Sequence, residues 1–189
     1  NLLDQLGFPF AYFHCVVEAA LHNPNLIVHT VGAIMSIPRI EATEGNYVMY
    51  HGVFTPSVWK ILEALDSEKM DIIAKLGFER ISYAEMAKFR NTLDDSIDAK
   101  ESFYNYALMP NNAIGPTKVD SRYISEDVPQ GLVMLEALGE ALEVSTPIAT
   151  ALINLANAAL GRDLRAEGRT PERLGIAHIR EIIEDTRQG

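Results

Sequence analysis

Cysteine is nearly missing from this 189-residue chain, where Cys15 stands alone. One thiol excludes an internal disulfide and any metal site built from several thiolates. It is compatible with a reducing compartment, and the cytoplasm is the expected location. Positive charge is also scarce. Sixteen Lys and Arg face 26 Asp and Glu, a net charge of -10. That balance argues against sequence-independent nucleic-acid binding, which runs on phosphate neutralisation, and against docking on an anionic membrane. No apolar run reaches the roughly 20 residues of a membrane span, and no basic stretch precedes an apolar one as in a signal peptide. Phosphate cradles are absent too: no GxGxxG follows a strand pattern and no GxxxxGK[ST] occurs. His14, His22, His29, His51 and His178 are scattered without metal-ligand spacing, and HExxH is missing, so no metal is expected. There is no internal repeat and no low-complexity run.

What is present reads as helix. The chain is 48% hydrophobic and 22% charged, an ordinary globular composition, long enough to bury a core without staples. Thr55-Pro56 opens a stripe of Val58, Ile61, Leu62, Leu65, Ile72, Ile73 and Leu76, stopped by Gly77. Thr suits an N-cap, Pro the first helical position and Gly the C-terminal stop. Thr146-Pro147 opens a second such segment through Leu160, stopped by Gly161 and apolar on most sides, which predicts a buried central helix. Thr170-Pro171 opens a third, short one. Val16 to Leu21, Thr30 to Ile37, Tyr83 to Arg90, Gly131 to Val144 and Ile176 to Asp185 are further helical candidates. Only Tyr47 to Tyr50 looks strand-like. Ala42 to Gly45 and Met109 to Asp127 read as irregular, and the charged run Asp66 to Asp71 as a solvated helix face. The expected fold class is all-α. Trp59 and the Leu/Ile stripe are expected in the core, with Cys15 as a small buried hydrophobe.

Four stretches carry more. They are Asn23-Pro24-Asn25-Leu26-Ile27-Val28-His29; Arg39-Ile40-Glu41; Ser121-Arg122-Tyr123-Ile124-Ser125-Glu126-Asp127-Val128-Pro129-Gln130-Gly131-Leu132-Val133; and Gly161-Arg162-Asp163-Leu164-Arg165-Ala166-Glu167-Gly168-Arg169-Thr170. In this order, with helices between, the chain resembles over nearly its whole length the C-terminal helical domain of the octopine and nopaline dehydrogenase-type opine dehydrogenases. It departs from many relatives after His29, with Ser36 where Asn is usual and Pro38 where Gly is usual. That departure bears on the helix following His29 and on substrate choice.

The resemblance implies an enzyme that joins an α-keto acid to the amino group of an amino acid and reduces the imine with NAD(P)H. It implies that an N-terminal Rossmann domain, not matched by residues 1–189, binds the cofactor. A chain starting at Asn1 then reads as a piece of something longer, inactive alone. His29 is the implied acid–base residue, since imidazole gives and takes protons near neutrality. Asp127 is its implied orienting carboxylate. Arg122 is the implied fork for the keto-acid carboxylate, with Lys118 nearby, because the net negative charge is screened beyond about 8–10 Å. Asn23 and Asn25 are implied to line the amino-acid pocket.

Plainer roles stand beside these. His29 suits a cap or core position, Asp127 a helix N-cap, Arg122 a surface ion pair and Asn23 or Asn25 a turn. Gly161 to Thr170 reads as a helix end tied back by Arg–carboxylate pairs. Two other functions compete: a non-catalytic helical module pairing through apolar helices, with a homodimer allowed, and a dehydrogenase of similar architecture acting on a hydroxy acid or ketopantoate-like substrate.

Overall fold

Proline, glycine and side-chain caps set the helix ends. The computed structural model describes residues 5, 7, 12–92, 94–109, 114–173 and 181, and among them it contains helices and no strand. In chain order these are α1 (Val16–Leu21), a 3-10 turn (Pro24–Leu26), α2 (Val28–Ala42), α3 (Met49–Gly52), α4 (Pro56–Lys75), α5 (Tyr83–Asn91), α6 (Ala99–Ala107) and α7 (Arg122–Ser125). A π-helical turn (Val128–Leu132) then runs into α8 (Val133–Leu142), followed by α9 (Pro147–Leu160) and α10 (Leu164–Glu167).

α4 starts at Pro56 as the Thr-Pro pair predicts. It ends in a Schellman motif: Gly77 N–H donates to Ala74 O and Phe78 N–H to Ile73 O, with Gly77 at φ +86°. Gly161 ends α9 likewise at φ +63°, with Arg162 N–H on Asn157 O. α5 carries a capping box between Ser82 and Glu85. At α1 the Cys15 sulfur, itself buried, accepts the Glu18 N–H at 3.5 Å, so the thiol caps as well as packs.

The buried face of α4, Trp59, Leu62, Leu65, Ile72 and Ile73, packs against α2, α8 and α9. Each such side chain contributes about 1.5–3 kcal/mol by leaving water. On the other side, Phe103 of α6 sits 5.0 Å from the Trp59 ring and 5.2 Å from Phe54. This aromatic cluster ties α6, with α5 packed on it, to the start of α4, and its Phe103 and Tyr83 form one wall of the site below.

Several expectations change. Tyr47 to Tyr50 is not a strand: Met49 and Tyr50 begin the one-turn α3, whose Met49 N–H donates to Ile114 O. Asp66 to Asp71 is not a solvated face. Asp66, Glu68 and Lys69 are buried, Lys69 to 1% exposure, because each has a built partner. Asp66 meets Lys69 Nζ at 2.6 Å and accepts the Tyr83 N–H at 2.7 Å. Glu68 accepts the Ile148 and Ala149 N–H groups at 2.6 and 3.0 Å and so caps α9. α9 itself is less enclosed than its composition predicts, with Ala151, Leu155, Ala158 and Ala159 on an exposed face. The irregular stretch before Asp127 contains α7, and α6 is an element to which the sequence reading assigned nothing. α2 runs unbroken through Pro38, with the Ser36 hydroxyl on Gly32 O. Thr170-Pro171 opens a turn through Arg173. The candidate helix Ile176 to Asp185 lies outside the described residues except for Glu181, which is helical.

The tied-back end holds as expected. Arg165 grips Glu136 of α8 with two N–H groups at 2.6 and 2.8 Å, and Arg162 pairs with Glu167 and Asp120. Arg39 donates to Gly52 O at 3.2 Å and lies over the Tyr47 ring, so the Arg-Ile-Glu stretch anchors the α2 C-terminus.

Candidate active site

Local side-chain bonds decide where α2 begins. The Asn23 side-chain Oδ1 accepts the Asn25 N–H at 3.1 Å, an Asx turn that starts the 3-10 segment at Pro24. The Thr30 hydroxyl donates back to Leu26 O at 2.6 Å. His29 is thereby fixed in the first turn of α2, with its side chain 18% exposed.

Asp127 arrives from the far end of the sequence. α7 ends at Ser125, and Pro129, lacking an N–H, cannot close a regular α-turn there. The chain continues as a π-turn, a wide geometry that redirects side chains. Gly131 in that turn faces Leu26, where a Cβ would lie 3.0 Å from the Leu26 methyl, so glycine permits the close approach. Asp127 makes no capping bond. Its carboxylate reaches His29 instead: Nδ1 to Oδ2 is 2.8 Å across 98 residues. An ionised carboxylate can only accept, so Nδ1 is the donor of this bond and Nε2 is the ring nitrogen left outside it. Tyr123 of α7 packs on the imidazole with ring centroids 4.0 Å apart. Burial, with Asp127 beside it, pushes the Tyr123 phenol above its usual range.

Two hollows flank this pair. His29 lines a cleft of about 200 Å³ together with Asn25, Tyr83, Arg90, Phe103 and Tyr106. Asp127 lines a neighbouring hollow of about 230 Å³ with Asn23, Asn25, Arg122, Glu126 and Arg169. Asn25 borders both. The expected residues thus gather, with one qualification. Arg122 stands at the rim of the second hollow, its side chain 84% exposed and its Nε bonded to Glu126 at 2.6 Å. Lys118 is exposed and lines neither.

Arg90 and Tyr123 escaped the sequence reading. Arg90 donates from Nη2 to His22 O at 2.9 Å and has no carboxylate partner among the described residues. Burial lowers its pKa and the Tyr83 phenol opposes that. A signal existed: Tyr83, Ala87, Arg90 and Asn91 recur at helical spacing and all line the cleft. Behind it, His22 is buried with neither ring nitrogen hydrogen-bonded among the described residues. Burial, with Lys69 next in weight, pulls its pKa to about 4.

A carboxylate-oriented imidazole at the wall of a small, partly aromatic cleft can move protons on a compact organic acid. Residues 13–160 match a family model described as NAD/NADP octopine/nopaline dehydrogenase, alpha-helical domain. An opine dehydrogenase of Arthrobacter sp. (strain 1C) is 31% identical over 195 residues, covering 96% of this chain and 52% of the relative. A vitopine synthase of Allorhizobium ampelinum is 27% identical over 86% of this chain and 45% of its own length. Protein ocs of Agrobacterium tumefaciens (strain Ach5) is 26% identical over 78% and 40%. The chain spans about half the length of the curated relatives it matches. With its all-helical fold, this chain belongs to the octopine/nopaline dehydrogenase family as an α-helical domain of that family.

Proposed function

We propose that this chain is the substrate-binding and acid–base domain of an enzyme that condenses an α-keto acid with the amino group of an amino acid and reduces the product with NAD(P)H. The observation that carries this reading is the 2.8 Å bond between His29 and Asp127 at the wall of the cleft. The described residues contain no strand and hence no strand–turn–helix phosphate cradle. The reading therefore assigns NAD(P)H mainly to an N-terminal Rossmann domain. When bound there, the cofactor supplies the hydride.

The remaining steps fall to this chain. The neutral His29 Nε2 takes a proton from the substrate ammonium, freeing the amine to add to the keto carbon. Asp127 stabilises the imidazolium that results. His29 then returns the proton to the carbinolamine hydroxyl, which leaves as water and gives the iminium ion. One proton is taken and one returned, so the ring is reset before reduction. Arg122, at the edge of the hollow that Asp127 lines, is the fork proposed for the keto-acid carboxylate, released from Glu126 when substrate arrives. Asn23 and Asn25 are proposed to line the amino-acid side.

The test uses the whole protein with NAD(P)H, a keto-acid panel and an amino-acid panel. Cofactor oxidation that requires both acids supports the reading. Oxidation by a keto acid without any amine would instead identify a hydroxy-acid dehydrogenase. A folded protein that oxidises no cofactor with any pair would point to the non-catalytic helical module.

A further inference from the structure

We propose that Arg90 anchors the α-carboxylate of the amino acid in the His29 cleft, an inference that rests on the condensation reading above. Two acids must meet at His29, and each brings a carboxylate into a molecule of net charge -10. Arg80, Arg122, Arg162 and Arg165 are all engaged by Asp or Glu side chains. Arg90 is not. It lines the same cleft as the imidazole, and no acid faces it among the described residues. One tooth of its fork is held by the carbonyl of His22. That bond stiffens the guanidinium and lowers the entropy lost when a carboxylate is captured.

The surroundings favour this use. Tyr83, Phe103 and Tyr106 line the cleft, and Arg90, exposed where it borders that cleft, is open to a dissolved acid with which it can form a charge-assisted bond. His22, whose carbonyl positions Arg90, is held neutral by burial, and the nearby Lys69 ammonium is taken up by Asp66 at 2.6 Å. With its carboxylate on Arg90, an amino acid in a cleft of about 200 Å³ keeps its ammonium within the space that the His29 ring borders. Arg122, on the other side of Asp127, is left for the keto acid. The two guanidiniums would sort the two substrates.

The experiment compares the whole protein with its Arg90→Ala, Arg90→Lys and Arg122→Ala variants, each checked for native circular dichroism. Kinetics are read with an amino acid and with the amine that lacks its carboxylate. Arg90→Ala is expected to raise KM for the amino acid about 10- to 100-fold and to leave KM for the keto acid within about twofold. It should also erase the preference for the amino acid over the decarboxylated amine. Arg90→Lys, which keeps charge but not the fork, should recover part of that preference. A retained preference in Arg90→Ala, or its loss in Arg122→Ala instead, overturns the proposal. Calorimetric titration of the amino acid into the same proteins separates this proposal from the broader reading. Binding that is lost in Arg90→Ala supports the anchor even where no turnover is seen, and equal binding in both proteins overturns it.

Discussion

His29 and Asp127 gain meaning from each other. Alone, the imidazole is a residue in the first turn of a helix and the carboxylate a helix-cap candidate. The 2.8 Å bond removes the capping role and makes Nδ1 the donating nitrogen. His29→Ala in the whole protein is expected to lower turnover about 10²–10⁴-fold, the usual worth of a positioned acid–base group. Asp127→Asn should approach the same loss with the fold intact, because an amide no longer dictates the tautomer. Steady-state kinetics beside circular dichroism checks both. His22 offers a separate test. Its folded pKa, about 4, lies below the ordinary 6.5. Between those values the unfolded chain binds a proton that the folded one refuses. The stability held by the neutral ring is fully present above pH 6.5 and is lost as pH falls toward about 4. Urea titrations from pH 7.5 to 4.5 should show this slope, flattened in His22→Phe.

The long helices were legible because their signals are local. Thr-Pro starts, Gly stops and stripes at helical spacing need only the neighbouring residues, and α4 and α9 follow them. The charged run inside α4 was not legible. Asp66, Glu68 and Lys69 look solvated to any reading that treats charge as exposure, yet α5 and the α9 N-terminus supply their partners from distant sequence. Lys69→Met is expected to destabilise the protein by about 3–5 kcal/mol, since it leaves the Asp66 charge buried without compensation. Urea midpoints of the two proteins would show the deficit. Glu68→Ala removes the α9 cap and should cost about 1–2 kcal/mol in the same assay. The π-turn was equally hidden. Its proline is visible, but the close approach of Gly131 to Leu26 joins residues more than 100 positions apart.

At the scale of the whole molecule, a net charge of -10 surrounds a site proposed to take two acids. Encounter should therefore speed up with salt, because screening weakens the long-range repulsion while the short contacts persist. A modest rise in kcat/KM with added neutral salt, at constant kcat, is the expected result for the whole protein. The 189-residue chain by itself is expected to leave NAD(P)H unoxidised with any acid pair, as absorbance of the reduced cofactor would show.

Composition and short-range pattern determined the helical class and the ends of α1, α4 and α9, since caps, stops and amphipathic spacing act within a few residues; the stretches carrying His29 and Asp127 stood out only through the family resemblance. The tertiary structure alone decided that His29 and Asp127 touch, that Arg122 lies at a rim and that Arg90 shares the imidazole's cleft. Those facts depend on which helices pack side by side, and packing joins residues whose separation along the chain carries no local signal.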